Sequence, residues 1–302
     1  MIVPPFLKKG ALVGLVSPAG KIPEHEIKKA EDFLDAHGFR HLRGRYVADS
    51  WHQFASRDEH RAADLMEMLQ NDQVEAIWCS RGGYGTIRLL DLLDFSSLAF
   101  KPKWLIGYSD ITVFHSVLQN VLGVMSIHGP MVRSLKEGRY SETGMNRLWQ
   151  LLQGDIPHYA IAPNLLNRPG KARGTLIGGN LSLISSLVGS PYDFDTKDKI
   201  LFIEDVSEYL YHLDRMLHSL KISGKLAGLV GLVVGQMTDM QDNDTPFGRT
   251  AYEIIAEVVK DYSFPVLFDF PAGHARQNEP LILGARVTLS VSPNESKLTF
   301  DV

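Results

Sequence analysis

The sequence predicts an α/β protein built on a parallel sheet. Apolar runs of strand length recur along the chain, each leads through a loop into a stretch with helical spacing, and this unit repeats through the first half. Residues 11–16 form the first run, apolar throughout, as expected of a parallel strand covered on both faces. Ser17-Pro18-Ala19-Gly20 is a loop. Helical spacing holds over 24–37, with Ile27, Ala30, Phe33 and Leu34 on one side and Gly38 placed to cap the C-terminus. A second helix covers 62–69. Residues 76–79 are a strand that runs into Ser80-Arg81-Gly82-Gly83-Tyr84-Gly85, and the helix after that loop carries Ile87, Leu89, Leu90, Leu92 and Leu93. Residues 104–106 are a strand, followed by a helix over 111–122 with Val113, Phe114, Val117 and Leu118 inward.

The pattern breaks near Gly154. Three prolines and three glycines fall between 153 and 174 with little periodicity. The stretch 153–173 reads as a linker between an N-terminal domain, 1–152, and a C-terminal domain, 174–302. The second half opens on Thr175-Leu176-Ile177-Gly178-Gly179-Asn180 and a helix over 181–188. Strands are expected at 200–206, 229–234 and 266–270, and helices at 209–220 and 251–259. Two final strands follow at 281–291 and 297–302, with Asn294 in the turn between them.

The chain has 302 residues, 44% hydrophobic and 22% charged, enough to bury a sizeable core without disulfides or metals. With 31 Lys and Arg against 35 Asp and Glu, the net charge is -4. No basic block or basic-aromatic interleaving points to nucleic acid. Cys79 is the sole cysteine, so no disulfide can form within the chain, which fits a reducing compartment. Lys8 and Lys9 ahead of the apolar run 10–19 loosely imitate a secretory signal. That run is short, holds two glycines and is read as the first buried strand. No apolar run approaches the ~18 residues that cross a membrane.

The sharpest local feature is Ile106-Gly107-Tyr108-Ser109-Asp110. A serine follows a buried strand and directly precedes an amphipathic helix, the arrangement of a nucleophile elbow, in which a tight turn lifts the hydroxyl over the sheet edge. Gly107 permits the turn, and the helix start offers amides and a positive dipole end to an oxyanion. The usual second glycine of such an elbow is replaced by Ile111, and Ser109 or Asp110 also fits a plain N-cap. A nucleophilic serine needs a base and an orienting partner. Among the 11 histidines, His274 lies in a loop directly after the strand 266–270, where catalytic side chains gather in α/β folds. His128, before Gly129-Pro130, is its competitor. His115, His212 and His218 fall on helices as packing or surface residues. The buried run 200–203 ends in Glu204-Asp205, two carboxylates where uncompensated charge is costly unless the strand has reached solvent.

The amides of Ser80-Arg81-Gly82-Gly83-Tyr84-Gly85 suit a phosphate or an oxyanion. The loop is neither Gly-x-Gly-x-x-Gly nor a Walker loop, so nucleotide binding gains little support. Cys79 ends a hydrophobic strand and reads as an inert thiol. No His-Glu-x-x-His, cysteine pair or calcium-type acidic loop indicates a metal, and no cofactor is expected.

Taken together, these fragments resemble the LD-carboxypeptidase family of serine peptidases, the muramoyltetrapeptide carboxypeptidases. The resemblance runs in order through Val16-Ser17-Pro18-Ala19-Gly20, Ser80 to Gly85, Gly107-Tyr108-Ser109-Asp110 and His128-Gly129-Pro130. It continues through Gly178-Gly179-Asn180-Leu181, Phe202-Ile203-Glu204-Asp205 and Gly273-His274, over nearly the whole chain. It implies a Ser109, Glu204 and His274 triad, with the serine on an N-terminal Rossmann-like sheet and the other two on a smaller, β-rich α/β C-terminal domain. The site would then lie between domains, a common position for ligand pockets.

The resemblance further implies a metal-free, cytoplasmic, often dimeric enzyme that removes terminal D-alanine from recycled cell-wall tetrapeptides. A branch of the same family cleaves microcin C-type peptidyl-adenylates instead. The amides of Asp110, Gly82 and Gly83 are the expected oxyanion donors, and Arg81, then Arg276, the expected partners of the substrate carboxylate. The competing class is a non-catalytic α/β binding protein whose glycine loops hold an anion, which leaves Glu204 and His274 without roles.

Overall fold

A computed structural model of the chain describes residues 1–136 and 142–302. Its architecture is mixed α/β with two sheets. The first half supplies β1 (Leu12–Val16), α1 (Glu24–Ala36), β2 (Arg40–Arg43), α2 (Asp58–Gln70), β3 (Val74–Cys79), β4 (Trp104–Gly107), α3 (Thr112–Val117), β5 (Ser126–His128) and α4 (Glu142–Leu152). The remainder supplies β6 (His158–Ile161), β7 (Gly170–Asn180), α5 (Leu181–Leu187), β8 (Lys199–Val206), α6 (Leu210–Ile222), β9 (Gly231–Thr238), α7 (Ala251–Val258), β10 (Val266–Leu267), β11 (Leu281–Leu283), β12 (Arg286–Val291) and β13 (Ser296–Asp301).

The first sheet has the order β11-β5-β4-β3-β1-β2, parallel apart from its β11 edge. Chain direction across the sheet reverses at the β1/β3 pair, and the loops leaving these two strands are the proline-glycine loop 17–20 and the glycine-rich loop 80–85. Ligand crevices in open α/β sheets form at this kind of switch point. The second sheet runs β10-β9-β8-β7-β12-β13-β6, with β7 to β10 parallel and the other three antiparallel.

One continuous core joins the two sheets. It holds Val13, Leu15, Trp78 and Ile127 from the first and Leu176, Phe202, Val233 and Leu289 from the second. The outer face of each sheet has its own core under the helices. Along β8 the alternation is strict: Ile200 and Phe202 enter the shared core, whereas Leu201 and Ile203 enter the outer one.

The stretch read as a linker, 153–173, contains β6 and the first residues of β7. Strand β6 pairs only with β13, and one face of this edge is exposed, so its four residues carry little hydrophobic signal. The run 281–291, read as one strand, is two. Gly284, at φ 90°, breaks it, sending β11 to the first sheet and β12 to the second. The helix expected over 111–122 starts as a 3₁₀ turn at Ser109–Ile111 and ends in a π-helical turn at Leu118–Leu122. The helix expected after residue 86 is 3₁₀, Ile87–Leu92, and of the strand 266–270 only β10 pairs. Among the described residues no helix is long and apolar enough to cross a membrane.

Candidate active site

The chain leaves β4 at Gly107 and turns at once into the short helix that carries Ser109 at its start. Ser109 has φ 63°, a left-handed backbone that costs an L-residue about 1–2 kcal/mol. Left-handed backbone alone does not single it out, since five other non-glycine residues share it among the described residues; of the six, Ser109 is the one that lines the cavity shared with His274. Packing accounts for both glycines near the turn. A Cβ on Gly107 would lie 2.8 Å from Cγ1 of Ile111, so the bulk absent at 107 is filled by the isoleucine that stands in place of the usual second glycine. A Cβ on Gly82 would lie 2.8 Å from Cβ and 2.9 Å from Oγ of Ser109, so the glycine-rich loop passes directly against the serine.

That loop is clamped to the elbow. The buried Asp110 carboxylate accepts from the Thr86 amide at 2.8 Å, and the Thr86 hydroxyl donates to the Asp110 carbonyl at 2.7 Å. Burial raises the Asp110 carboxyl to about 6, against hydrogen bonds from Thr86 and the nearby Arg61 charge. The Gly82 carbonyl accepts from the Gly20 amide at 3.1 Å. Because the peptide unit is planar and trans, the Gly83 N–H must point the opposite way. Ser17 and Ser80 bond through their hydroxyls at 2.6 Å, tying together the loops after β1 and β3.

Across the cleft, Glu204 sits near the C-terminal end of β8, its side chain wholly buried. Its Oε2 accepts from Nδ1 of His274 at 2.6 Å. The imidazole is 16% exposed. Two features of β9 and its neighbourhood make this pairing possible. The β8–β9 register shifts opposite Glu204, so that Ile203 pairs with Val234 but Asp205 with Met237. The bulge turns the Gln236 amide to the Ala272 carbonyl at 3.1 Å, docking the loop that carries His274. Gly273, at φ 134°, brings that loop over the carboxylate, where a Cβ would stand 3.0 Å from Oε2.

Asp205 faces the opposite way. It accepts from Asn180 Nδ2, the Ser182 amide and its own neighbour Val206, each at 2.9 Å, and so anchors the start of α5. Burial, with the adjacent Glu204 charge, pushes its carboxyl up to about 7.

Ser109 and His274 line one open cavity of about 290 Å³, with Arg81, Gly82, Gly83, Tyr108, Met131, Arg133, Ser134 and Val206. The Tyr108 ring meets the His274 imidazole edge-on at 4.9 Å between centroids. Arg81 folds across Gly20 and donates to the Lys21 carbonyl at 3.0 Å. Arg276, two residues beyond His274, is exposed and does not line this cavity. Arg133 and Ser134 do line it and had no place in the sequence reading. The available signal was their position just after His128-Gly129-Pro130, at the C-terminal end of β5.

His128 is wholly buried between Phe202 and Tyr108, with ring centroids 4.9 Å and 5.7 Å away. Burial holds its pKa well below the usual range, and it stays neutral behind the cavity wall. His115 braces β4 through the Gly107 carbonyl at 2.9 Å, while His212 and His218 pair with carboxylates on α6 or just before it. Cys79 is buried at the end of β3, and burial raises its thiol far above the usual range. Among the described residues no group of three or more His, Cys, Asp or Glu is placed to hold a metal.

A serine at a strand-to-helix turn that shares a cavity with a histidine held by a buried carboxylate is the arrangement of a class, the hydrolases that work through a serine nucleophile. Comparison with known proteins places the chain within that class. Residues 13–129 match the N-terminal domain of LD-carboxypeptidases and residues 173–289 their C-terminal domain. A probable murein peptide carboxypeptidase of Bacillus subtilis is 34% identical over 96% of this chain and 92% of its own length. A murein tetrapeptide carboxypeptidase of Pseudomonas aeruginosa is 30% identical over 92% of each. The crystal structure of a muramoyltetrapeptide carboxypeptidase from Oxalobacter formigenes superposes with a TM-score of 0.88 at 30% identity, covering 96% of this chain and 99% of the other. The microcin C7 self-immunity protein MccF shares the fold, with a TM-score of 0.86 at 21% identity over 97% of both chains. The chain belongs to the LD-carboxypeptidase family and is a serine peptidase.

Proposed function

We propose that the protein is an L,D-carboxypeptidase that releases terminal D-alanine from murein tetrapeptides, in the cytoplasmic recycling of cell wall. The observation that carries this reading is the 2.6 Å bond between buried Glu204 and His274, in a histidine that shares a cavity with Ser109 at its left-handed elbow. Supporting it are the relatives named for murein peptides, at 30% identity or more over nearly the whole chain.

The chemistry follows from the parts. Glu204 holds Nδ1 of His274 in its protonated form, so Nε2 carries the lone pair. Nε2 takes the proton of Ser109 as Oγ attacks the carbonyl ahead of D-alanine. The amides of Asp110, Gly82 and Gly83 stabilise the oxyanion, each donor worth about 3 kcal/mol of barrier. The tetrahedral intermediate collapses, the C–N bond breaks, and His274 protonates the departing amine. Water, deprotonated by His274, then cleaves the acyl-enzyme and restores Ser109. Arg81 and Arg133 are the cations on the cavity wall suited to the D-alanine carboxylate.

The test is incubation with a murein tetrapeptide, its isomer ending in L-alanine, and a peptidyl-adenylate, followed by mass spectrometry. Conversion of the first alone to tripeptide is the expected result. Equal cleavage of both isomers removes the D-specificity, cleavage of the adenylate alone reassigns the substrate, and no cleavage of any returns the chain to the binding proteins.

A further inference from the structure

Three of the four tryptophans, Trp78, Trp104 and Trp149, are buried, whereas Trp51 is 37% exposed. Trp51 opens a tight hairpin. Its amide donates to the Phe54 carbonyl at 3.1 Å and receives the Phe54 amide on its own carbonyl at 3.0 Å, with His52 left-handed at φ 56° between them. The hairpin is fastened to the loop after β1 by the Lys21 amide on the Gln53 carbonyl at 3.2 Å and the Ala55 amide on the Ala19 carbonyl at 3.0 Å. Phe54 is buried beneath and lies between two exposed rings, with Trp51 6.1 Å and Tyr84 6.0 Å away between centroids. Tyr84 is 48% exposed. Gly85 admits this contact, because a Cβ there would stand 3.0 Å from the Phe54 ring.

The three rings make a strip that ends at Tyr84, the residue after Gly83, and Gly83 lines the cavity that holds Ser109. Two large aromatic rings left partly in water bury less apolar area than they offer. A scaffold already fixed gives up little further entropy when a ligand settles on it. The position decides which part of the substrate meets the strip. The scissile bond lies at the C-terminus of the tetrapeptide, so the group attached to its N-terminus must leave the cavity over the rim.

We infer that Trp51 and Tyr84 form a stacking subsite for the N-acetylmuramoyl ring at the N-terminal end of the murein peptide. The inference rests on the proposed function and deepens it. A pyranose presents a face of C–H groups that packs on an aromatic ring. The Arg57 guanidinium, 5.9 Å over one face of the Trp51 ring, offers N–H donors to the oxygens of a sugar packed on the other. A nucleobase would stack on the same rings, and the experiment separates the two.

Full-length Ser109→Ala protein is titrated with free tetrapeptide, with N-acetylmuramoyl-tetrapeptide and with a peptidyl-adenylate, and binding is followed by calorimetry and tryptophan emission. The muramoyl peptide is expected to bind about tenfold tighter than the free peptide, the equivalent of about 1.4 kcal/mol. It should shift the emission where the free peptide does not, and the shift reports on Trp51, since the other three indoles are buried. Adding Trp51→Ala should bring the affinity ratio of the two peptides to near one, and Trp51→Phe should keep part of the ratio while losing the emission shift. Equal affinity for the two peptides, a ratio that survives Trp51→Ala, or tighter binding of the adenylate overturns the subsite. Loss of D-alanine release by the unmodified enzyme on both peptides would instead overturn the proposed function, and the binding ratio is read independently of it.

Discussion

Glu204→Gln replaces one oxygen of the site by NH₂ and tests the proposed triad directly. The Glu204 side chain has no exposed surface, its Oε2 bonds Nδ1 of His274 at 2.6 Å, and its Oε1 has no hydrogen-bond partner among the described residues. A glutamine can sit there in two ways. With its NH₂ toward the imidazole it donates to Nδ1, which places the ring proton on Nε2, the nitrogen that must accept from Ser109. With its oxygen toward the imidazole the tautomer survives, but the NH₂ occupies the unpartnered position at a cost of about 1–3 kcal/mol. A neutral amide also no longer stabilises the imidazolium. The corresponding amide replacement in the best-studied serine protease costs about 10⁴ in turnover. Here kcat is expected to fall about 10³–10⁴-fold, or roughly 4–5.5 kcal/mol of barrier, with the fold retained. The assay is D-alanine release from the tetrapeptide, with circular dichroism and thermal melting as the folding control. Asp205→Asn is the paired variant. Its carboxylate serves Asn180, Ser182 and Val206 rather than His274, so it should lose stability by about 1–3 kcal/mol and little turnover. A folded Glu204→Gln enzyme that keeps more than a tenth of its turnover, or a folded but inactive Asp205→Asn enzyme, would refute the assignment.

Three further outcomes follow from the geometry. Ser109→Ala and Ser109→Gly should both abolish turnover, but the glycine variant should be more stable than the alanine variant by about 1 kcal/mol, because φ 63° strains only the residue with a Cβ; equal melting temperatures would show the elbow to be relaxed. Gly82→Ala should reduce turnover far more than stability, since its methyl meets the Ser109 hydroxyl at 2.9 Å, and wild-type kinetics in that variant would place the loop elsewhere. Burial, with the adjacent Glu204 charge, raises the folded-state pKa of Asp205 to about 7, against about 4 for an ordinary carboxylate. The folded protein therefore holds a proton the unfolded chain has released, so its stability falls as pH rises from about 4 to 7, by at most roughly 4 kcal/mol. Melting curves of wild type and Asp205→Asn across that window should converge as pH rises, and parallel curves would contradict the shift.

Much of the site was legible because strand ends and glycines leave clear marks. Period-2 alternation along 200–206 assigns Glu204 and Asp205 to opposite faces, and β8 sends the two into different surroundings. The apolar strand 104–106 followed at once by Gly107-Tyr108-Ser109 located the elbow. What stayed hidden depends on contacts distant in sequence. Strand β6 is four residues at a sheet edge, flanked by Pro157 and Pro163, and only its pairing with β13 makes it a strand. Nothing in the run 281–291 apart from Gly284 says that its two ends belong to different sheets. The 3₁₀ and π turns that bracket α3 are departures from the 3.6 period that apolar spacing does not resolve. Arg133 and Ser134 reach the cavity through the turn after β5, and a turn has no periodicity to read.

The division of Leu281–Val291 between two sheets ties the loop that carries His274 to the sheet that carries Ser109. The His274 loop, 271–279, begins against β9 through the Ala272 carbonyl and ends just before β11, which pairs with β5 of the serine-bearing sheet at Leu281 and His128. Within the loop the Gly273 amide donates to Asn278 Oδ1 at 3.1 Å, and the Glu279 amide donates to the Pro271 carbonyl at 2.8 Å. Arg147 on α4 pairs with Glu279 at 2.7 Å and adds a tie to a helix of the first half. The loop is thus fastened to both sheets. His128 closes the arrangement from behind, since its backbone joins β11 to β4 while its ring packs on Phe202 of β8 and Tyr108 of the elbow. Ser109 and His274 are therefore tied to each other through a shared core and through backbone pairing. A catalytic geometry that tolerates errors of only about half an ångström needs that kind of support.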